Sequence, residues 1–162
     1  MIKTNTKNYV RLLGHFRIPI IVTLERPVGE KGSLPMEVKK CLGHATEIFE
    51  KDFFDLCKEN QIRDYLQSLK KNQVIVAGCE TDVCVLQSCL GLLSLGYEVY
   101  LVEELLFSSS PNVHAAIARM KTEGAIFLAY KSLYYELLES VRDDQNHSAL
   151  PDDLPDAAVQ LL

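Results

Sequence analysis

At 162 residues the chain is long enough for one domain with a full core and too short for two ordinary ones. Its apolar share of 48% and charged share of 24% are those of a soluble globular protein. A net charge of −5 with no Lys/Arg cluster argues against a nucleic-acid partner, and no apolar run reaches the ~18 residues of a membrane span.

The opening segment MIKTNTKNYVRLLGHF is polar and amphipathic, without the apolar stretch or cleavage site of a secretion signal. A cytoplasmic protein with reduced thiols is the expectation. The cysteines at 41, 57, 79, 84 and 89 are odd in number and lack CxxC or matched His spacing, so neither a disulfide framework nor a structural zinc is expected. Cys41, Cys57, Cys79 and Cys89 read as small buried hydrophobes.

Thr6 to Phe16 reads as a helix, with Tyr9, Leu12, Leu13 and Phe16 on one face. RIPIIVTLE reads as a buried strand, followed by the loop RPVGEKGSLP and a short helix from Pro35 to Leu42. Ile48 to Glu50 is a candidate brief strand, and Phe53, Phe54, Leu56 and Cys57 read as buried under a turn. Asn60 caps a predicted helix running to Leu69. QVIVAG, apolar after its first residue, reads as a central parallel strand. A helix follows from Thr81 to Leu95 with Gly96 just past its end. YEVYLVEEL is a strand, a helix runs from about Asn112 to a stop at Gly124, AIFLAY is a short strand, and Leu133 to Val141 is a last helix. Residues 1–141 form the predicted domain, and 142–162 form an acidic, Pro-broken tail. Alternating strands and helices predict an α/β fold of three layers, helix–sheet–helix, with a mainly parallel sheet. Active sites of such sheets lie at the carboxyl ends of the strands, where the turn from Gly78 to Cys84 falls.

Cys84 stands in the first turn of its helix, where free N–H groups favour an anion. Such a position can lower a thiol pKa and also hold the oxyanion of a tetrahedral intermediate. An activated Cys84 is therefore expected to alkylate with iodoacetamide at pH ~6.5 far faster than an ordinary thiol. Thr81 is placed to cap the helix, and Glu80 and Asp82 to supply negative charge at its start. Packing alone would also explain a cysteine here.

The run GCETDVCV, with Gly78, Cys79, Glu80, Thr81, Cys84 and Val85, resembles the nucleophile turn of the isochorismatase-like cysteine hydrolases. GYEVYLVEE and SPNVHAAIARMKTEGA resemble the family's following strand and helix, and IPIIVTLERP and FEKDFFD its second strand and lysine segment. The likeness covers roughly residues 6 to 140. It implies hydrolysis of a small amide or related C–N bond through a cysteine thioester, with Cys84 as nucleophile and Lys51 as the assisting lysine. It also implies a non-proline cis peptide between Cys79 and Glu80, aiming N–H groups, that of Cys84 included, into an oxyanion site. Homodimers or homotetramers are implied as well.

The family's Asp lies on a first strand ahead of the helix that opens this chain, and no Asp occurs before Asp52. The expectation is a fold lacking that strand, with neighbouring strand edges exposed and Cys84 deprived of its base. A truncated form of a longer hydrolase would explain this. So would a low-activity thiol hydrolase, or a natural short form acting as an inactive scaffold or oligomer subunit. Glu25 is one group that could substitute as base or contact substrate, although an exposed loop carboxylate is its commoner reading. Arg26 and Lys31 are candidates to recognise an anionic substrate. His114 reads as a surface or capping residue. The nicotinamidases of this fold place metal-binding His residues in the loop after the second strand; LERPVGEKGSLP has none, so no metal is expected. Without GxGxxG or GxxxxGK[ST], no nucleotide cofactor is expected either.

Overall fold

The computed structural model describes residues 2–139. The expected tail at 142–162 lies outside the described residues. Helix α1 (Ile2–His15) leads into strand β1 (Ile20–Glu25). Two single-turn helices, α2 (Val28–Lys31) and α3 (Met36–Lys39), precede β2 (Thr46–Lys51). A 3₁₀ turn at Leu56–Lys58 then enters α4 (Asn60–Ser68). Strand β3 (Gln73–Cys79) passes through a π turn at Thr81–Val85 into α5 (Leu86–Ser94). The chain closes with β4 (Glu98–Phe107), α6 (His114–Thr122), β5 (Ile126–Leu128) and α7 (Tyr130–Leu138).

All strand pairs are parallel, but the sheet is in two parts. Strands β1 and β2 form one, and β3, β4 and β5, in that order, form the other. The two parts share both helical covers. On one face Ile21 of β1, Val74 and Val76 of β3, and Val99 and Leu101 of β4 pack with Ile62 and Leu66 of α4, Cys89 and Leu92 of α5 and Met120 of α6. On the other, Ile20, Ile75, Val102 and Leu105 pack with Tyr9, Leu12 and Leu13 of α1 and Leu133, Tyr134 and Leu138 of α7. Alternate residues of each strand therefore serve opposite cores, as the two-residue period of a strand requires. This is the three-layer α/β arrangement that the sequence predicts.

Several local expectations shift. QVIVAG is not a central strand but the edge of the three-stranded part, because no strand pairs with its far side among the described residues. Asn60 is the first residue of α4; Glu59 takes the cap position, and no side chain caps there. Thr81 does not cap its helix: its hydroxyl donates to the Phe107 carbonyl at 2.9 Å and ties the turn to β4. Phe53 and Phe54 are each 49% exposed rather than buried. Cys57 and Cys89 are buried, whereas Cys79 is exposed and Cys41 only partly covered. Helix α6 starts at His114, whose amide donates to the Asn112 side chain at 3.3 Å.

The helix stops act as the sequence predicts. Gly96 has φ 87°, and the Tyr97 amide reaches back to the Leu92 carbonyl at 3.2 Å while the Gly96 amide reaches Leu93 at 3.0 Å. This paired closure satisfies two orphan carbonyls and needs a residue tolerant of positive φ. Gly124 repeats the pattern after α6, with Ala125 bonded to Met120 and Gly124 to Lys121. Among the described residues no helix is long and apolar enough to cross a membrane.

Leu101, fully buried on the doubly paired strand β4, is a direct probe of this core. Leu101→Ala is expected to lower stability by about 3 kcal/mol, measured by urea unfolding.

Candidate active site

The carboxyl ends of β1, β2 and β3 converge. Glu25 is the last residue of β1 and Lys51 the last of β2, in register with each other. Cys84 lies in the π turn after β3, where the Val85 amide bonds to the Glu80 carbonyl at 3.1 Å. Gly78 precedes the turn with φ 126°, a conformation that side chains disfavour, at the point where the β3–β4 register shifts. The bond between Cys79 and Glu80 is cis, as the resemblance implies.

The Cys84 thiol donates to Oε1 of Glu25 at 2.5 Å. The Lys51 ammonium stands 3.5 Å from the same oxygen. Lys51 is 4% exposed and donates also to the carbonyls of Phe53, at 3.0 Å, and Phe54, at 3.3 Å. A buried ammonium needs such partners, and two carbonyls plus a carboxylate supply three. Ser88 steadies the same loop, accepting from the Leu56 amide and donating to the Phe54 carbonyl.

Glu25 is thus not an exposed loop carboxylate. Its side chain is 27% exposed and bridges the thiol and the ammonium. The hydrogen bond from Cys84 is the main influence holding its carboxyl below the ordinary range; burial opposes this and the Lys51 charge assists. For Cys84 the helix-start argument gives the wrong sign. Burial, and then the Glu25 hydrogen bond, push the thiol up to about 11, outweighing the Lys51 charge and a backbone hydrogen bond from Glu80 that favour the thiolate. The resting pair at neutral pH is a thiol donating to a carboxylate.

The other candidates have different work. Arg26 pairs with Glu50 at 3.2 Å and Asp52 at 2.7 Å, so carboxylates already engage its guanidinium. Lys31 is exposed, and its charge helps to hold Glu25 ionised. Glu80 does not act mainly on the helix start. It accepts from the Ser109 amide at 2.6 Å and from the Ser108 and Ser109 hydroxyls, both at 2.9 Å, while Asp82 accepts from Ser108 at 2.6 Å. These bonds fasten the Glu80–Cys84 turn to the loop after β4. Burial raises the pKa of Cys79, with contributions from Glu80 and Glu25. His114 is exposed at the start of α6, as expected. Among the described residues no group of three or more His, Cys, Asp or Glu is placed to hold a metal ion.

The isochorismatase domain signature matches residues 2–131. The chain belongs to the isochorismatase family. Isochorismatase family protein 1B of Dictyostelium discoideum is 29% identical over 150 residues, which are 90% of this chain and 72% of that protein. The structure of YcaC from Pseudomonas aeruginosa, solved with hexane-2,5-diol and covalent acrylamide, superposes with a TM-score of 0.88 at 27% identity, covering 99% of this chain and 80% of that one. A structure described as the MAR1 ribonuclease of Caenorhabditis elegans superposes with a TM-score of 0.81 at 29% identity, covering 93% and 78%. In this isochorismatase-family chain, Lys51 and Cys84 were legible from the motif. From sequence Glu25 is a group that could substitute as base, beside the commoner reading of an exposed loop carboxylate, and the fold brings it against the thiol.

The raised thiol pKa changes the alkylation forecast. The rate of Cys84 modification by iodoacetamide, followed by peptide mass mapping, is expected to keep climbing towards pH 11 without a plateau near pH 6.5. Lys51→Met removes the charge that favours the thiolate, so it should slow modification at any pH below that range.

Proposed function

We propose that this chain is a cysteine hydrolase of a small amide or related C–N bond, with Cys84 as nucleophile and Glu25 as the base. The single observation that carries the reading is the continuous contact Cys84–Glu25–Lys51 at the strand ends. The site has a nucleophile, a base within hydrogen-bond reach, and a third group that orients the base, which is what thiol catalysis needs.

Glu25 takes the thiol proton as sulfur attacks the carbonyl carbon. The oxyanion of the tetrahedral intermediate is held by N–H groups of the Glu80–Cys84 turn, the Cys84 amide among them. Collapse expels the amine, which receives the proton from Glu25 and leaves a thioester. Glu25 then deprotonates water, which attacks the thioester, and the protonated carboxyl returns the proton to the departing sulfur. Lys51 stabilises the carboxylate between steps and fixes its orientation. A carboxylate below its usual range is a modest base, but it acts on a thiol it already contacts, so proximity compensates for driving force.

The covalently bound acrylamide in the YcaC structure shows that a protein of this fold carries a group reactive towards a small electrophile, which supports a nucleophilic thiol here. The ribonuclease description of another neighbour brings RNA forward as a second substrate. Net charge −5, and the acidic Glu50 and Asp52 engaging Arg26 beside the site, work against a polyanion. A homo-oligomer fits the exposed Ile48, Phe53 and Phe54 around β2.

Activity on a panel of small aliphatic and aromatic amides, read by amine release, tests the reading. Cys84→Ala should abolish turnover, and Glu25→Gln should lower kcat by about a hundredfold or more while the fold is retained, as expected for loss of a positioned base. Turnover that survives Cys84→Ala would refute the assignment. Because Glu25 is held below its ordinary range and Cys84 is pushed up, the catalytically competent carboxylate–thiol pair is present from mildly acidic pH upward. kcat/KM should therefore fall only on the acid side of the ordinary carboxylate pKa and stay flat through pH 6–9. A rise across pH 8–9, where a free thiol titrates, would show that the proton is not passed to Glu25.

A further inference from the structure

Lys51 is held more closely by its own loop than by Glu25. Its ammonium lies 3.0 Å from the Phe53 carbonyl and 3.3 Å from that of Phe54, against 3.5 Å for the carboxylate. An ammonium has three donors, and these two carbonyls engage two of them. The place of the charge is therefore set first by the path of residues 53–56 and second by Glu25.

That path is fastened to α5 at three successive residues. The Ser88 hydroxyl donates to the Phe54 carbonyl at 3.1 Å and accepts from the Leu56 amide at 3.1 Å. Between them, the Asp55 carboxylate packs over Gly91. A Cβ added at Gly91 would stand 2.8 Å from Cγ and Oδ2 of Asp55 and nearer still to Oδ1. The carboxylate cannot simply swing aside, because Oδ1 accepts from the Cys57 amide at 2.9 Å and so opens the 3₁₀ turn at Leu56–Lys58. Helix α5 continues directly from the turn that carries Cys84, with Ser88 one helical turn beyond the thiol and Gly91 almost one more.

Each residue type is what its contact requires. A buried side chain that donates to a carbonyl and accepts from an amide at once is best a hydroxyl, and Ser88 is 4% exposed. The Phe54 carbonyl has two lone pairs, one for Ser88 and one for Lys51. Cys89 and Leu92 beside them are fully buried and anchor α5 in the core, together with the partly buried Leu56.

We propose, resting on the reading of Cys84, Glu25 and Lys51 as a working site, that Ser88 and Gly91 are positioning residues: through residues 54–56, α5 sets where the Lys51 ammonium stands relative to the Cys84 thiol. The nucleophile and the cation that favours its ionised form then belong to one connected unit, while Glu25 arrives from β1. The charged side chains facing the thiol are Glu25 and Lys51. Those facing Glu25 are Lys51 and Lys31, with the Cys79 thiol also near it. Of these groups, Lys51 is the one that bonds to the braced segment.

The test is the rate of Cys84 modification by iodoacetamide at pH 8 in the full chain, read by peptide mass mapping, with circular dichroism to follow the fold. This rate reports the Lys51 charge whether or not any amide is turned over, so an inactive enzyme would strike the proposed function and leave this result legible. Ser88→Ala should slow modification about threefold, the loss of thiolate expected when a nearby charge is displaced rather than removed. Ser88→Thr keeps the hydroxyl and should restore the rate. Gly91→Ala should slow modification similarly. Asp55→Ser, shorter but still able to accept from the Cys57 amide, should relieve that effect. In a Lys51→Met background neither substitution should slow the reaction further, because the charge they position is gone. Contacts that served the fold alone would, when lost, loosen the thiol and speed its modification in both backgrounds. Faster modification, wild-type rates in both Ser88→Ala and Gly91→Ala, or equal slowing with and without Lys51 overturns the proposal. A wild-type rate in one of the two overturns the assignment of that residue. If Lys51→Met does not fold, the Ser88→Thr and Asp55→Ser rescues decide alone, and their failure overturns the proposal.

Discussion

Two strands that do not pair must nevertheless lie side by side in this molecule. β1 and β3 are held in one layer by the helices above and below them, and at their carboxyl ends by the hydrogen bond from Cys84 to Glu25. The sheet supplies no backbone ladder across the gap among the described residues. The site and the gap are therefore one structural problem: the groups that would carry catalysis also bridge the place where the sheet is discontinuous.

That arrangement explains the electrostatics. The Lys51 charge is buried at the end of β2 and tolerated because two carbonyls and Glu25 surround it. Glu25 is kept ionised by the thiol and the ammonium, and the thiol is kept protonated by burial and by Glu25. Each group sets the protonation of the next. The result is a carboxylate beside a neutral thiol rather than a preformed thiolate. An uncharged thiol also avoids placing a second anion against Glu25.

The Glu80–Cys84 turn is positioned from the opposite side. Thr81 is tied to Phe107, and Glu80 and Asp82 to the serines after β4. The turn thus rides on β4, which pairs with β3 on one side and β5 on the other and whose Val99, Leu101 and Val102 are fully buried. A site with Cys84 on such a support and Glu25 on a two-stranded part is asymmetric: the position of Glu25 depends on what holds β1 in place.

Much of this was written in the sequence. Strand and helix alternation, the helix stops at Gly96 and Gly124, the GCETDVCV turn with its cis bond, and the placing of Lys51 near that turn all follow from local pattern or from the family likeness, because period, turn chemistry and motif are properties of neighbouring residues. That β1 and β3 leave edges unpaired among the described residues was expected too. Only the tertiary structure decided the rest. The helix start alone predicts a lowered thiol pKa, and the opposite holds because a carboxylate 59 positions earlier lies against Cys84. Thr81 reads as a cap and Arg26 as an anion binder until their partners, Phe107 in one case and Glu50 and Asp52 in the other, are brought beside them. Local sequence fixes which way a residue's backbone runs; which charge it meets is set by strands distant in the chain and adjacent in space.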